Sequence, residues 1–117
     1  MAEILADADP APLNAVFHAL SDEKRRNMVA RLSTSTMSVK DLAEPLRMRL
    51  PSAVKHLAIL EASGLVVSEK TGRVRTYAIR TAAFDDISQW IAAREIAMNA
   101  AFDRLERAIA QFPEDTE

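Results

Sequence analysis

A mainly α-helical fold with one β-hairpin is predicted by three observations. Apolar residues recur at helical spacing along most of the chain, and only two glycines accompany a hydrophobic content of 49%. Those glycines, Gly64 and Gly72, fall at the entrance and in the middle of the one stretch rich in Val, Ile and Tyr. At 117 residues the chain has length for one domain and one core, with room for an element committed to a partner.

Residues 1–12 combine Pro10 and Pro12 with acids and small residues, and are expected to form a flexible arm. Leu13, Val16, Phe17 and Leu20 have the spacing of a first short helix. Ser21 then offers a capping oxygen, with Asp22 and Glu23 in the first turn of a second helix. That helix is expected to expose Lys24, Arg25 and Arg26 and to bury Met28, Val29 and Leu32. STSTMS, residues 33–38, reads as a polar connector. Ser38 with Asp41 opens a third helix, VKDLAEPL, whose Val39, Leu42, Ala43 and Leu46 face inward, with Pro45 near its end.

Pro51 suits the first turn of a fourth helix, because its missing N–H needs no partner there. This helix runs to about Ala62 or Ser63, and Gly64 supplies the positive φ that ends it. Leu57, Leu60 and Leu65 form its buried seam, while Lys55 and His56 point elsewhere. LVVSEK and VRTYAI, around Thr71 and Gly72, read as a hairpin whose turn is flanked by Lys70, Arg73 and Arg75. Tyr77 is expected to pack inside. From about Ala83 to Gln111 no Gly or Pro interrupts Phe84, Ile87, Ile91, Met98, Phe102, Leu105 and Ile109, spaced by three, four or seven. Such a helix is too long for so small a core to cover, so this stripe, with Leu13 and Phe17, is expected at an interface with a second subunit. Trp90 is expected to anchor the helix. Residues 112–117 form an acidic tail.

Several chemistries are excluded. No cysteine is present, which removes disulfides and thiolate metal sites. His18 and His56 are the only histidines and lack metal-ligand spacing, while Asp85 and Asp86 read as acids favoured at a helix N-terminus. No nucleophile elbow, phosphate loop or dinucleotide fingerprint occurs, so neither enzymatic activity nor a cofactor is expected. The first residues lack a secretory pattern and no run reaches membrane-spanning length, which predicts a cytoplasmic protein without a membrane partner.

The formal net charge of −2 argues against nucleic acid, but its distribution reverses that. Between residues 40 and 80, Lys40, Arg47, Arg49, Lys55, Lys70, Arg73, Arg75 and Arg80 face only Asp41, Glu44, Glu61 and Glu69. This is a basic face on an acidic body. A capped short helix, a brief link and a second helix with exposed polar groups make a helix-turn-helix, and the basic hairpin makes it winged.

Three stretches resemble the ArsR (ArsR/SmtB-like) family of bacterial winged-helix repressors: ALSDEKRRNMVARL (19–32), SVKDLAEPLRMRLPSAVKHLAILEASGLV (38–66) and GRVRTYAI (72–79). Glu23 stands where proline is usual. The resemblance implies a recognition helix from Pro51 to Ala62 and a wing tip centred on Thr71 and Gly72. In that frame Ser52 and Val54 meet bases, the valine methyls packing on thymine methyls. Lys55 meets phosphate, and His56 either reaches a phosphate or braces two helices. Arg47 and Arg49 approach the backbone of the duplex, and Lys70, Arg73 and Arg75 approach it from the wing, the arginines also suiting the minor groove. Arg49 replaces a usual Ser or Thr cap, and Val54 a usual Ser. Ser38 and Lys40 occupy the positions of the family's metal-binding cysteines, and residues 83–117 contain no histidine, so both family metal sites are expected to be absent.

The resemblance thus implies one winged-helix DNA-binding and dimerisation domain over residues 13–111. It would act as a homodimeric repressor on an imperfect palindrome of double-stranded DNA, without metal control. A small-molecule inducer fits the family, although the sequence names no site for one. The alternative is a winged-helix module for protein interaction or architectural DNA binding.

Overall fold

The computed structural model describes residues 11–112. The order is α1 (Ala11–Ala19), α2 (Glu23–Leu32), β1 (Met37–Ser38), α3 (Val39–Ala43), α4 (Leu50–Ala62), β2 (Val66–Thr71), β3 (Val74–Ile79) and α5 (Thr81–Gln111). Contacts divide the chain into two compact units, the first ending at Phe84 and the second beginning at Asp85. Among the described residues no helix is long and apolar enough to cross a membrane. Residues 1–10 of the expected arm and 113–117 of the expected tail lie outside the described residues.

The core of the first unit is built from Met28, Leu42, Leu57, Leu60, Leu65 and Val66, all fully buried. Each such side chain contributes roughly 1.5–3 kcal/mol relative to exposure. α1 begins at Ala11, two residues before the expected start, with Pro12 in its first turn, and buries Val16 and Ala19.

The cap of α2 is Asp22, not Ser21. Asp22 is extended at φ −112, ψ 133 and accepts from the Arg25 backbone N–H at 3.2 Å. Ser21 instead donates its hydroxyl to the His18 carbonyl at 2.6 Å. The hydrogen bond from Arg25 holds the Asp22 carboxyl below its usual 3.8. Arg25, expected outside, is only 7% exposed. It can be buried because its guanidinium finds acceptors: Nε donates to the Ala19 carbonyl at 2.7 Å and one terminal nitrogen to the His18 carbonyl at 3.2 Å.

Ser38 caps α3 as expected, accepting from the Asp41 N–H at 3.2 Å. Helix geometry ends at Ala43, earlier than the expected Leu46, which is half-buried. α4 carries Pro51 in its first turn and ends before Gly64, whose φ is +86.

The sheet has three strands in the order β1-β3-β2, all antiparallel, where two were expected. The added strand comes from the segment read as a polar connector: Met37 lies opposite Tyr77 and Ser38 opposite Thr76. Two residues are too few to show alternation, so only the pairing with β3 reveals it. Tyr77 is buried, as expected, and that burial raises its hydroxyl above the usual 10.0.

α5 begins at Thr81, so Asp85 and Asp86 fall beyond its first turn, which holds no acid. In the second unit every residue from Gln89 to Phe112 is exposed, the apolar ones included: Trp90 at 43%, Phe102 at 63% and Phe112 at 76% mark the range. Met98, Phe102, Leu105, Ile109 and Phe112 follow at alternating steps of four and three, the seam spacing of paired helices. The Arg94 guanidinium lies 4.7 Å from the centre of the Trp90 ring.

Candidate nucleic-acid interface

The link between α3 and α4 is a helix stop with two reciprocal bonds. Arg47 N donates to the Glu44 carbonyl at 3.0 Å and Met48 N to the Ala43 carbonyl at 3.1 Å, the pattern of a Schellman turn. Arg47 occupies its left-handed position at φ 55, where glycine is the usual residue. Arg49 follows as the N-cap of α4 and makes no side-chain capping bond. Both arginines are exposed at the entrance of the helix.

α4 buries Ala53, Leu57 and Leu60, and the opposite stripe of Pro51, Val54, Lys55, Ala58 and Ala62 is exposed. Val54 is 49% exposed. Ser52 and His56 are half-buried on the flanks. One Arg25 terminal nitrogen lies 3.2 Å from His56 Nδ1. A guanidinium only donates, so His56 accepts there, and the bracing role is the one this geometry contains. Arg25 thereby ties α4 to the carbonyls at the end of α1.

The hairpin register pairs Lys70 with Arg75 and Thr71 with Val74, leaving Gly72 and Arg73 as a two-residue loop. Its tip is therefore one residue beyond the expected Thr71–Gly72. Gly72 has φ +65 while Arg73 is not positive, the pattern of a type II′ turn. Lys70, Arg73 and Arg75 are all exposed at this end. Arg75 donates to the Ser68 hydroxyl at 2.8 Å, and Ser68 donates to Glu61 at 2.6 Å. The wing is so fastened to the last turn of α4.

Sequence reasoning missed Ala58, Arg25 and the Glu61–Ser68–Arg75 chain. Ala58 was legible from helical spacing, one turn beyond Val54. The other contacts join residues 31 and seven apart through the fold, and no local pattern marks them. Of the expected interface residues, Leu13, Phe84 and Ile87 are half-buried, Phe17 is 40% exposed, and Ile91, Met98, Phe102, Leu105 and Ile109 are exposed. Ile96 and Phe112, not singled out beforehand, are exposed as well.

A family model described as a helix-turn-helix domain matches residues 20–69. The transcriptional repressor SdpR of Bacillus subtilis is 30% identical over 79 residues, which cover 68% of this chain and 88% of SdpR. A crystal structure of an ArsR family transcriptional regulator is 41% identical, covers 78% of this chain and 94% of its own, and superposes with a TM-score of 0.73. The solution structure of a homodimeric winged helix-turn-helix DNA-binding domain from Mycobacterium bovis shares the fold at 22% identity and a TM-score of 0.59, over 80% of this chain and 84% of that one. With its helix-turn-helix, its wing and this degree of likeness, the chain belongs to the ArsR family of winged helix-turn-helix transcriptional regulators.

Proposed function

We propose that this protein is a cytoplasmic homodimeric repressor that binds an imperfect palindrome of double-stranded DNA and does not respond to metal. Residues 13–111 act as one DNA-binding and dimerisation domain. The observation that carries the reading is the exposed stripe of α4, bounded by Arg47 and Arg49 at its entrance and tied to a basic wing at its end. Two such helices, one per subunit, enter successive major grooves. Arg47, Arg49, Lys55, Lys70 and Arg73 hold phosphates, Arg75 contributes from the wing, and Ser52 and Val54 meet bases. His56 serves the duplex by holding α4 in place through Arg25.

The seam from Ile91 to Ile109, with Leu13, Phe17, Phe84 and Ile87, supplies the subunit contact. Support for it comes from the exposure of that seam and from the homodimeric relative of the same fold. Metal independence is supported by the absence of cysteine and by Ser38 and Lys40 at the family's ligand positions. The test is selection of bound fragments from genomic DNA, followed by anisotropy on the selected duplex and a scrambled one. A single palindromic footprint supports the reading. Equal binding to both duplexes favours an architectural role instead.

A further inference from the structure

The residues that α4 leaves exposed determine which bases it is able to read. Direct readout of guanine by arginine or lysine, or of adenine by Asn or Gln, needs those side chains on the helix, and its one lysine, Lys55, is assigned to phosphate in the proposed interface. Leu50–Ala62 contains no Arg, Asn or Gln. Its remaining polar groups are mostly engaged or set aside. His56 Nδ1 faces Arg25, Glu61 accepts from Ser68, and Ser52, half-buried, is left as a single small hydroxyl beside Val54. On the exposed face Lys55 and Glu61 are the polar residues, Glu61 held by Ser68 at the wing end, and the rest is Leu50, Pro51, Val54, Ala58 and Ala62. A face of methyl groups at a site ringed by basic side chains fits one partner: duplex DNA whose major groove presents methyl groups.

We propose that the operator half-site is read chiefly through thymine 5-methyl groups, packed against Val54 and Ala58. This rests on the reading that α4 enters the major groove. Val54 and Ala58 are one turn apart on the same face, with Cβ atoms roughly 5–6 Å apart. Against a rise of about 3.4 Å per base pair, they meet thymines one or two steps apart. The operator is therefore rich in A·T pairs at the centre of each half-site, and its recognition depends on the methyl carbon, not on the hydrogen-bonding edge of the base.

The test uses the full chain and a randomised duplex pool. After selection, the enriched duplex is remade with deoxyuridine in place of thymidine at the half-site centres, which removes only the methyl groups. Affinity is expected to fall about fourfold for each contacted methyl, the equivalent of ~0.8 kcal/mol per buried methyl-sized group. Placing cytosine there weakens binding, and 5-methylcytosine restores about fourfold of it. In Val54→Ser, the penalty for deoxyuridine at one position disappears. Undiminished binding of the unmodified chain to the deoxyuridine duplex overturns the proposal while leaving sequence-specific binding intact, as does a consensus fixed by G·C pairs. If no duplex is enriched, groove binding by α4 fails as well, and its apolar face belongs to a protein partner.

Discussion

The unit ending at Phe84 and the helix beyond Asp85 use apolar residues in opposite ways. In the first, Met28, Leu42, Leu57, Leu60 and Leu65 are wholly enclosed by their own chain. In the second, Ile96, Met98, Phe102, Leu105 and Ile109 are between 51% and 70% exposed. A side chain of that size is not left in water over several helical turns without a cost that a partner removes. The first unit therefore owes its fold to internal packing, whereas the second carries an apolar surface that the proposed second subunit would cover. Charge follows the same division, because the exposed basic groups of the wing and the α4 entrance all lie in the first unit.

Breaking the second unit gives the largest effect. Met98→Asp combined with Phe102→Asp places two charges in the seam and is expected to weaken subunit association on the order of a thousandfold or more. Sedimentation at micromolar concentration reads this: the unmodified chain runs as a dimer and the variant as a monomer. A monomeric unmodified chain removes the proposed role of the seam.

Breaking the first unit from inside comes next. Arg25→Met retains much of the side-chain length but leaves the Ala19 carbonyl without the Arg25 Nε donor, takes one donor from the His18 carbonyl, which keeps Ser21, and frees His56 Nδ1. A stability loss of about 2–4 kcal/mol is expected in urea unfolding at fixed protein concentration. A change below about 1 kcal/mol means that water replaces the guanidinium without difficulty.

The two wing arginines divide the surface more finely. Arg73 is in the loop, whereas Arg75 is bonded to Ser68. Arg73→Ala is expected to lower the salt slope of DNA binding by about one, on operator and scrambled duplex alike. Arg75→Ala is expected to lower it less, because part of its hydrogen-bonding capacity is used within the protein. Equal slopes for the two variants mean that Arg75 leaves Ser68 when DNA binds.

Much of this division is legible in the sequence. The helical spacing of Leu57 and Leu60, the Ser38 cap and the Gly64 stop each depend on residues within one or two turns, where spacing and side-chain chemistry act directly. The seam from Met98 to Ile109 is legible for the same reason. Arg25 was misread because its neighbours in sequence are charged and exposed, while its acceptors are carbonyls made available by the end of α1. The short strand at Met37 is likewise created by its partner Tyr77, forty residues away. At the proposed interface, residue types single out the basic groups, but the register alone decides that Arg73 occupies the loop and that Arg75 faces Ser68.

Asp22 offers a smaller effect with a defined pH signature. Its carboxyl is held below 3.8 by the Arg25 N–H, so its folded value is depressed relative to the unfolded chain. Such a group stabilises the fold fully above the unfolded value, and the contribution is lost as pH falls through the folded value. Asp22→Ala should therefore differ from the unmodified chain most at neutral pH, with the gap narrowing below about pH 4. Thermal unfolding across pH 2.5–7 measures it, in steps of roughly half a unit. A gap that stays constant with pH assigns the cap to hydrogen bonding without charge.

The smallest effect lies at Arg47, where stability and DNA binding have opposite demands. A non-glycine residue in the left-handed region costs about 1–2 kcal/mol, and glycine recovers part of this while adding roughly 0.5–1 kcal/mol of unfolded-state entropy. Arg47→Gly is thus expected to stabilise the fold by about 0.5–1 kcal/mol. The same substitution removes a positive charge at the entrance of α4, so DNA affinity and the salt slope should both fall. Arg47→Ala separates the two causes: it loses the charge but keeps the backbone cost, so it should bind DNA as poorly as the glycine variant without its gain in stability. A glycine variant that is more stable and binds DNA as before shows that Arg47 is absent from the phosphate contacts. The strained position then belongs to the turn alone, and the charge at the entrance of α4 is carried by Arg49.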